Sequence, residues 1–293
     1  MCILKKRKFL VMNVLMLLCV IMCLSWQNIS RKAYNQKVIN GAFSFNLISI
    51  LSAALFFALL SIPKFSFSKD FIIYAVLFAL SYGMAMIFSF LAIAEGSLAL
   101  TALIVSYSLI LPSLYGILFL NESISLFLIL GLCLLIISLL LININRNTAT
   151  KITLKWLIFV VLAFLGNGLC SIFQKMQQVH CDGLYKNEFM LLSLTISAAI
   201  MLPAVLIKKE KFATHFKRSG GYAILCGLAN GIVNLFVLIL SGRMSVSVMF
   251  PIVSAGGIIL SFIVSLLIYK EKLSVMQYIG ALLGLASIIL LNI

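Results

Sequence analysis

The sequence predicts an all-α integral membrane protein with ten transmembrane helices arranged as two inverted five-helix repeats. Three observations carry this. The 293 residues are 63% hydrophobic and only 10% charged, with a mean hydropathy of +1.21, whereas ordinary soluble domains carry about 25% charged residues. The apolar residues fall into ten continuous runs, each near the ~20 residues a helix needs to cross a bilayer core of about 30 Å. Finally, segment 121–143 returns as segment 270–292: Glu122 falls on Glu271, Ser125 on Ser274, Gly131 on Gly280, Ser138 on Ser287 and Asn143 on Asn292, every pair 149 positions apart. Five identities in one register mark a duplication, and a duplication fixes architecture before any single residue does.

The runs lie at 9–29, 39–62, 71–94, 97–120, 124–143, 154–177, 187–207, 220–241, 245–269 and 273–292. The first follows a basic cluster, Lys5, Lys6, Arg7 and Lys8, and its apolar part extends over 18 residues from Phe9 to Trp26. That exceeds the ~7–15 residues of a signal-peptide core, and no small-residue cleavage site follows, so a retained spanning helix is expected. Continuous rather than alternating apolarity excludes a β-barrel, the other way to span a bilayer. The longest polar links, 145–155 and 208–219, leave no room for a soluble domain.

The repeat extends backward. Leu80, Gly83 and Phe88 of the third run fall on Leu228, Gly231 and Phe236 of the eighth, and Trp26-Gln27 of the first fall on Phe173-Gln174 of the sixth. Five helices per copy is an odd number, so the chain re-enters from the opposite face. The second half, 148–293, is then inverted relative to the first, 1–147, as in many secondary transporters with midplane substrate sites.

Breakers mark individual helices. Pro112 stands mid-run in the fourth and Pro251 early in its partner, the ninth; Pro63 and Pro203 close the second and seventh. An interior proline kinks a helix and frees a carbonyl, which in a bilayer must be satisfied by neighbours or a cavity. Gly227 with Gly231 and Gly280 with Gly284 have the small-xxx-small spacing that lets helices approach closely. The fifth and tenth helices, poor in polar side chains, are expected to be scaffold or homodimer helices.

The net charge is +15, from 22 Lys and Arg against 7 acids. The cations stand between apolar runs rather than on one face with interleaved aromatics, which excludes a nucleic-acid partner. They fit helix-end anchoring and contact with anionic lipids of the bilayer. The seven cysteines form no CxxC or Cys/His cluster, so no metal or other cofactor is expected.

The stretches Phe119-Leu120-Asn121-Glu122 and Tyr269-Lys270-Glu271-Lys272 each follow a proline-bearing helix and precede a glycine-bearing last helix. In this the chain resembles the drug/metabolite transporter superfamily, in its EamA-type ten-helix members. It departs from them at Asn121 and Lys270, where a small residue often precedes the glutamate. The resemblance implies carriage of small metabolites, often outward, across a bacterial inner (plasma) membrane. It also implies a cavity lined by the first, third, fourth, sixth, eighth and ninth helices, and cytoplasmic termini. The positive-inside rule pulls the other way: under that topology 13 Lys and Arg fall on outer connections and 8 on inner ones, leaving out Lys175.

Candidate substrate-binding residues follow from polarity within spans. Asn230 and Asn234, spaced i,i+4, share one face of the eighth helix, and Tyr82 occupies the matching place on the third. Gln27, Tyr107 and Gln174 add polar groups, Trp26 and Phe173 aromatic wall, and Lys175 an ammonium either at the cavity rim or snorkelling to the interface. Glu122, Glu271, Pro112 and Pro251 are expected to be structural, the glutamates as caps at helix starts. His180 and His215 sit in connections and no paired aspartates occur in a span, so an enzyme is not expected. No carboxylate lies inside the first helix, which disfavours proton-coupled export of cationic drugs. The expected function is a secondary transporter of a small neutral, zwitterionic or anionic metabolite. Translocation of a lipid or lipid-linked sugar, or multidrug efflux, are the alternatives.

Overall fold

The computed structural model describes residues 2–38, 41–95, 101, 104–105, 107–122, 124–143, 153–267 and 275–291. Among these residues there are ten α-helices and no strand: α1 (Cys2–Lys37), α2 (Ala42–Ser61), α3 (Ile72–Glu95), α4 (Ile110–Phe119), α5 (Leu126–Asn143), α6 (Leu154–His180), α7 (Lys186–Ile207), α8 (Phe212–Ser241), α9 (Val246–Leu267) and α10 (Val275–Leu291). Six of them, α1 to α3 and α6 to α8, are long and apolar enough to cross a membrane; α4, α5, α9 and α10 are apolar over shorter described lengths.

Each helix falls on one of the ten apolar runs, with two corrections. Helix α1 continues to Lys37 and α8 begins at Phe212, so Arg31, Lys32 and Lys37, and the stretch 212–219, are helical rather than connecting. Hydropathy marks the lipid-buried part of a helix, not its ends. Lys and Arg are good helix formers, and no glycine or proline interrupts α1 before Gly41.

The fourth run is interrupted as its proline requires, but higher up than expected. A 3₁₀ turn spans Tyr107–Leu109 and Pro112 stands third in α4 rather than mid-helix. The proline ring excludes a helical carbonyl four residues back, at Ser108. That backbone is met by α6: the Ser108 hydroxyl accepts a bond from Asn167 Nδ2 at 2.7 Å, and a Cβ on Gly168 would lie 2.9 Å from the Ser108 carbonyl oxygen.

Packing runs mainly between the sequence halves. The principal contacts are α3 with α6, α1 with α8, α2 with α8, α3 with α7, α2 with α7 and α5 with α10. Exchanging each helix for the one five places along turns α3–α6 into α8–α1, α2–α8 into α7–α3 and α1–α9 into α6–α4, while α2–α7, α4–α9 and α5–α10 map onto themselves; every pair named is present. In α5–α10 the correspondence reaches single atoms. The Ser138 hydroxyl donates to the Gly280 carbonyl at 2.6 Å and the Ser287 hydroxyl to the Gly131 carbonyl at 2.8 Å. The later part of each helix thus meets the earlier part of the other, so the two run antiparallel.

Interhelical hydrogen bonds in membranes average about 0.6 kcal/mol. Ser138→Ala and Ser287→Ala should therefore each lower stability by about that amount, equally and additively, in a denaturation titration of the purified protein. The glycine pair of α8 is in contact as its spacing requires: a Cβ would lie 2.3 Å from the Ser49 carbonyl oxygen at Gly227 and 2.7 Å from the Phe56 ring at Gly231. One apolar core, around Phe57, Phe78, Phe189 and Met201, joins α2, α3, α6 and α7. A second, around Val20, Leu240, Met249 and Phe250, joins α1, α8 and α9.

Candidate functional site

Where α6 and α3 face α8, a chain of polar side chains crosses the interior. Gln174 Nε2 of α6 donates to Asn234 Oδ1 of α8 at 2.7 Å and lies 3.9 Å from Met190 Sδ. Asn234 Nδ2 donates to both the carbonyl and Oδ1 of Asn230 at 2.9 Å. The Tyr82 side chain of α3 faces the Asn230 side chain. The i,i+4 spacing in α8 is what puts both asparagines on the face toward α3 and α6. Phe78 stacks on Tyr82 with ring centroids 5.7 Å apart, and Phe173 and Met86 pack beside them. Four predicted polar residues and the predicted wall residue Phe173 are thus brought together: donors and acceptors on an aromatic, apolar surface.

Three other predicted residues fall elsewhere. Trp26 is 48% exposed on α1 and turned away from Gln27, as adjacent helical positions must be. Gln27 is buried, and its Nε2 has no partner among the described residues. The Tyr107 hydroxyl donates to the Ile136 carbonyl at 3.2 Å, tying the 3₁₀ turn to α5.

Lys175 neither snorkels nor stands on an open rim. Its Nζ donates to the Ser241 carbonyl, at the end of α8, at 2.7 Å and lies 4.0 Å from Glu122 Oε1, with both side chains close to nine-tenths buried. Glu122 in turn accepts the backbone N–H groups of Val246 and Ser247 at 2.9 Å each. It therefore caps α9, from the other half of the chain, and not its own α5, whose first turn is capped by the Ser125 hydroxyl accepting Leu128 N–H at 3.0 Å. A carboxylate over exposed amides and a positive dipole end is the expected chemistry; the helix served is the correction. Burial alone would raise the Glu122 pKa, but hydrogen bonds from Ser247, Val246 and Ser245 outweigh it and hold the carboxyl below its ordinary value. Its repeat partner Glu271 lies outside the described residues, while Pro112 and Pro251 are both buried.

A second crossed cap was not singled out from the sequence. Glu210, between α7 and α8, accepts Phe43 N–H at 3.1 Å, Ser44 N–H at 2.7 Å and the Ser44 hydroxyl at 2.5 Å, closing the start of α2. No spacing connects Glu210 to residues 166 positions earlier; the only available sign was an acid in a connection otherwise rich in lysine.

Residues 153–293 match the EamA-like transporter family. No curated protein matches the sequence. Twenty-eight chains of solved structures match the fold. One of them, described only as the crystal structure of a protein, superposes with a TM-score of 0.79 over 96% of this chain and 96% of its own, at 11% identity. At that identity the likeness speaks for the fold alone. The resemblance to the drug/metabolite transporter superfamily is borne out by the family pattern over residues 153–293. With six described helices long and apolar enough to cross a bilayer, the protein is a multi-pass integral membrane protein whose residues 153–293 are similar to EamA-like transporters.

Proposed function

We propose, on the premise of that family match, that the chain is a secondary transporter moving a small neutral, zwitterionic or anionic metabolite by alternating access, as an exporter or exchanger. One observation carries the site: the chain Tyr82–Asn230–Asn234–Gln174 bridges α3 and α6 to α8 at a boundary where backbones meet little. The reciprocal serine–carbonyl bonds of antiparallel α5 and α10, with the exchange symmetry of the helix pairing, support inverted repeats 1–147 and 148–293. Midplane sites at the repeat interface belong to that architecture.

The moving bodies are then not the sequence halves. The exchange divides the helices into α1, α2, α8 and α9 against α3, α4, α6 and α7, two sets that it converts into each other and that meet through α2–α7 and α4–α9. The polar chain crosses between them at mid-depth. Lys175 and Glu122 cross between them at the end where α8 stops and α9 begins, and act as the closed gate of that end.

Cytoplasmic termini, a bacterial inner membrane and a homodimer through the bare apolar faces of α5 and α10 remain part of this proposal. Anionic lipids fit the opposite end, where Lys217, Arg218 and Tyr222 line a cavity of about 320 Å³ and the Lys37 ammonium sits 3.2 Å from the Tyr222 hydroxyl.

Reconstitution into liposomes with amino acids, nucleosides, sugars and organic anions tests the function. Saturable flux of one class is expected; no flux for any solute with rapid flip of labelled lipid would transfer the chain to lipid translocation. Asn234→Ala should lower flux by about tenfold, the equivalent of one hydrogen bond of about 1.4 kcal/mol, without lowering the yield of folded protein. Tyr107→Phe, whose hydroxyl is spent on Ile136, should leave flux unchanged. Equal flux in wild type and Asn234→Ala would remove the polar chain from the substrate path.

A further inference from the structure

Helix α1 turns one face inward at positions 13, 17, 20, 24, 27, 31 and 34, the spacing of a single helical face. Asn13, Leu17, Val20 and Gln27 are each less than a tenth exposed, and Leu24 packs against the second core. Arg31 continues the same stripe one turn beyond Gln27, yet it is exposed. Arg31 thus shares the face of buried Gln27 and Tyr34 while itself remaining accessible. α1 and α8 run antiparallel, with Leu17 beside Leu240 in one cluster and Tyr34 beside Cys226 in another. Arg31 therefore lies about one turn from the level of Asn230.

Neither polar group at this end of the stripe is satisfied from within. Gln27 Nε2 is buried without a partner, and no ion pair or hydrogen bond ties Arg31 to another described residue. The six acids among the described residues stand at or near helix ends or between helices. Glu95 is paired with Lys155, Glu122 with Lys175, and Glu210 is spent on α2. A guanidinium offers five N–H groups in a planar fork that fits a carboxylate or phosphate two bonds at a time, and an intramembrane charge without a partner is costly to keep.

We propose that Arg31, with Gln27 one turn below it, is the anion-recognition element of the transport path, and that the transported solute carries a carboxylate or phosphate. This rests on the transport function and narrows it. The acid group docks on Arg31 and the Gln27 amide, and the remainder of the solute reaches the Tyr82–Asn230 end of the polar chain. Of the neutral, zwitterionic and anionic classes, only those with an anionic group are retained.

The test uses the purified full chain and matched probes: succinate against succinamide, glycerol 3-phosphate against glycerol, and glutamate against glutamine, by thermal shift and by liposome flux. At least one of the more anionic members should stabilise the wild type in preference to its partner. Arg31→Gln should weaken that binding by about 10- to 100-fold, as expected for loss of a charge-assisted bond, and Arg31→Lys should retain part of it. Preference for the less charged members, response to no member, or equal binding by Arg31→Gln would each overturn the assignment. Arg31-dependent anion binding without flux of any solute would leave the site standing and remove transport. Flux of uncharged solutes unaffected by Arg31→Gln would do the reverse.

Discussion

Glu122→Ala is expected to cost about 3–5 kcal/mol of stability, the range for removing one partner of a buried ion pair. Two losses combine. The Lys175 ammonium, held 4.0 Å from Glu122 Oε1 and bonded to the Ser241 carbonyl, would keep a positive charge in a nearly closed site. The amides of Val246 and Ser247 would lose their acceptor, a cap worth about 0.5–2 kcal/mol by itself. Glu122→Gln separates the two, because an amide oxygen still accepts one N–H while the charge is gone, so an intermediate loss is expected. Lys175→Met placed in the Glu122→Ala chain should restore much of the difference, since replacing both ions by apolar side chains removes the unpaired charge. Thermal unfolding of the wild type and the three purified variants measures these differences. A double variant no more stable than Glu122→Ala would mean that the ion pair contributes nothing beyond the cap.

The same carboxylate makes stability pH-dependent, with a definite sign. Hydrogen bonds hold its folded-state pKa below the ordinary carboxylate value, so the folded protein binds the proton less readily than the unfolded chain. Its contribution is complete above the unfolded value, about 4.3, and is lost as pH falls through the lower folded value. Unfolding temperature should drop on acidification below that point, by less in Glu122→Gln than in wild type.

What could be read from the sequence was whatever lies within one element or repeats along the chain. The ten helices follow from hydropathy, which lipid imposes on every crossing. The residues of the α5–α10 contact were legible as a repeat, though the contact itself was not: Gly131 recurs as Gly280 and Ser138 as Ser287, and each serine bonds the glycine carbonyl of the other helix. The shared face of Asn230 and Asn234 followed from i,i+4 spacing. Partnership between elements was not legible. Glu122 starts a helix in sequence and caps a different one in space, because the nearest unsatisfied amides belong to α9. Arg31 was assigned to a connection because polarity in a helix end and polarity in a loop look alike without the chain's path. Tyr107 and Trp26 have the chemistry of a binding site, but a carbonyl of α5 takes one and helical rotation turns the other outward.

Gly166→Val should be the most damaging single change on α6 for the site while leaving every polar residue of it in place. Gly166 sits where α6 crosses α3 backbone to backbone: a Cβ there would lie 2.7 Å from Ala85 N, 2.8 Å from the Ser81 carbonyl oxygen and 3.1 Å from Ala85 Cα. Unlike a side-chain neighbour, these atoms cannot rotate away, so the helices must separate. Overpacking costs typically about 1–3 kcal/mol, and contact with backbone places this site at the upper end. The displaced segment of α3 contains Tyr82, between Ser81 and Gly83, and α6 carries Gln174 two turns further on. Parting the helices pulls both from Asn230 and Asn234, whose bonds of 2.7–2.9 Å do not survive a shift of about 1 Å. Flux should therefore fall by more than in Asn234→Ala, together with a lower unfolding temperature. Gly221→Val is the control: the same substitution in α8, at a position where a Cβ meets nothing within 4 Å, should leave flux intact. If Gly166→Val transported as well as Gly221→Val, the α3–α6 crossing would not be what holds the polar chain together.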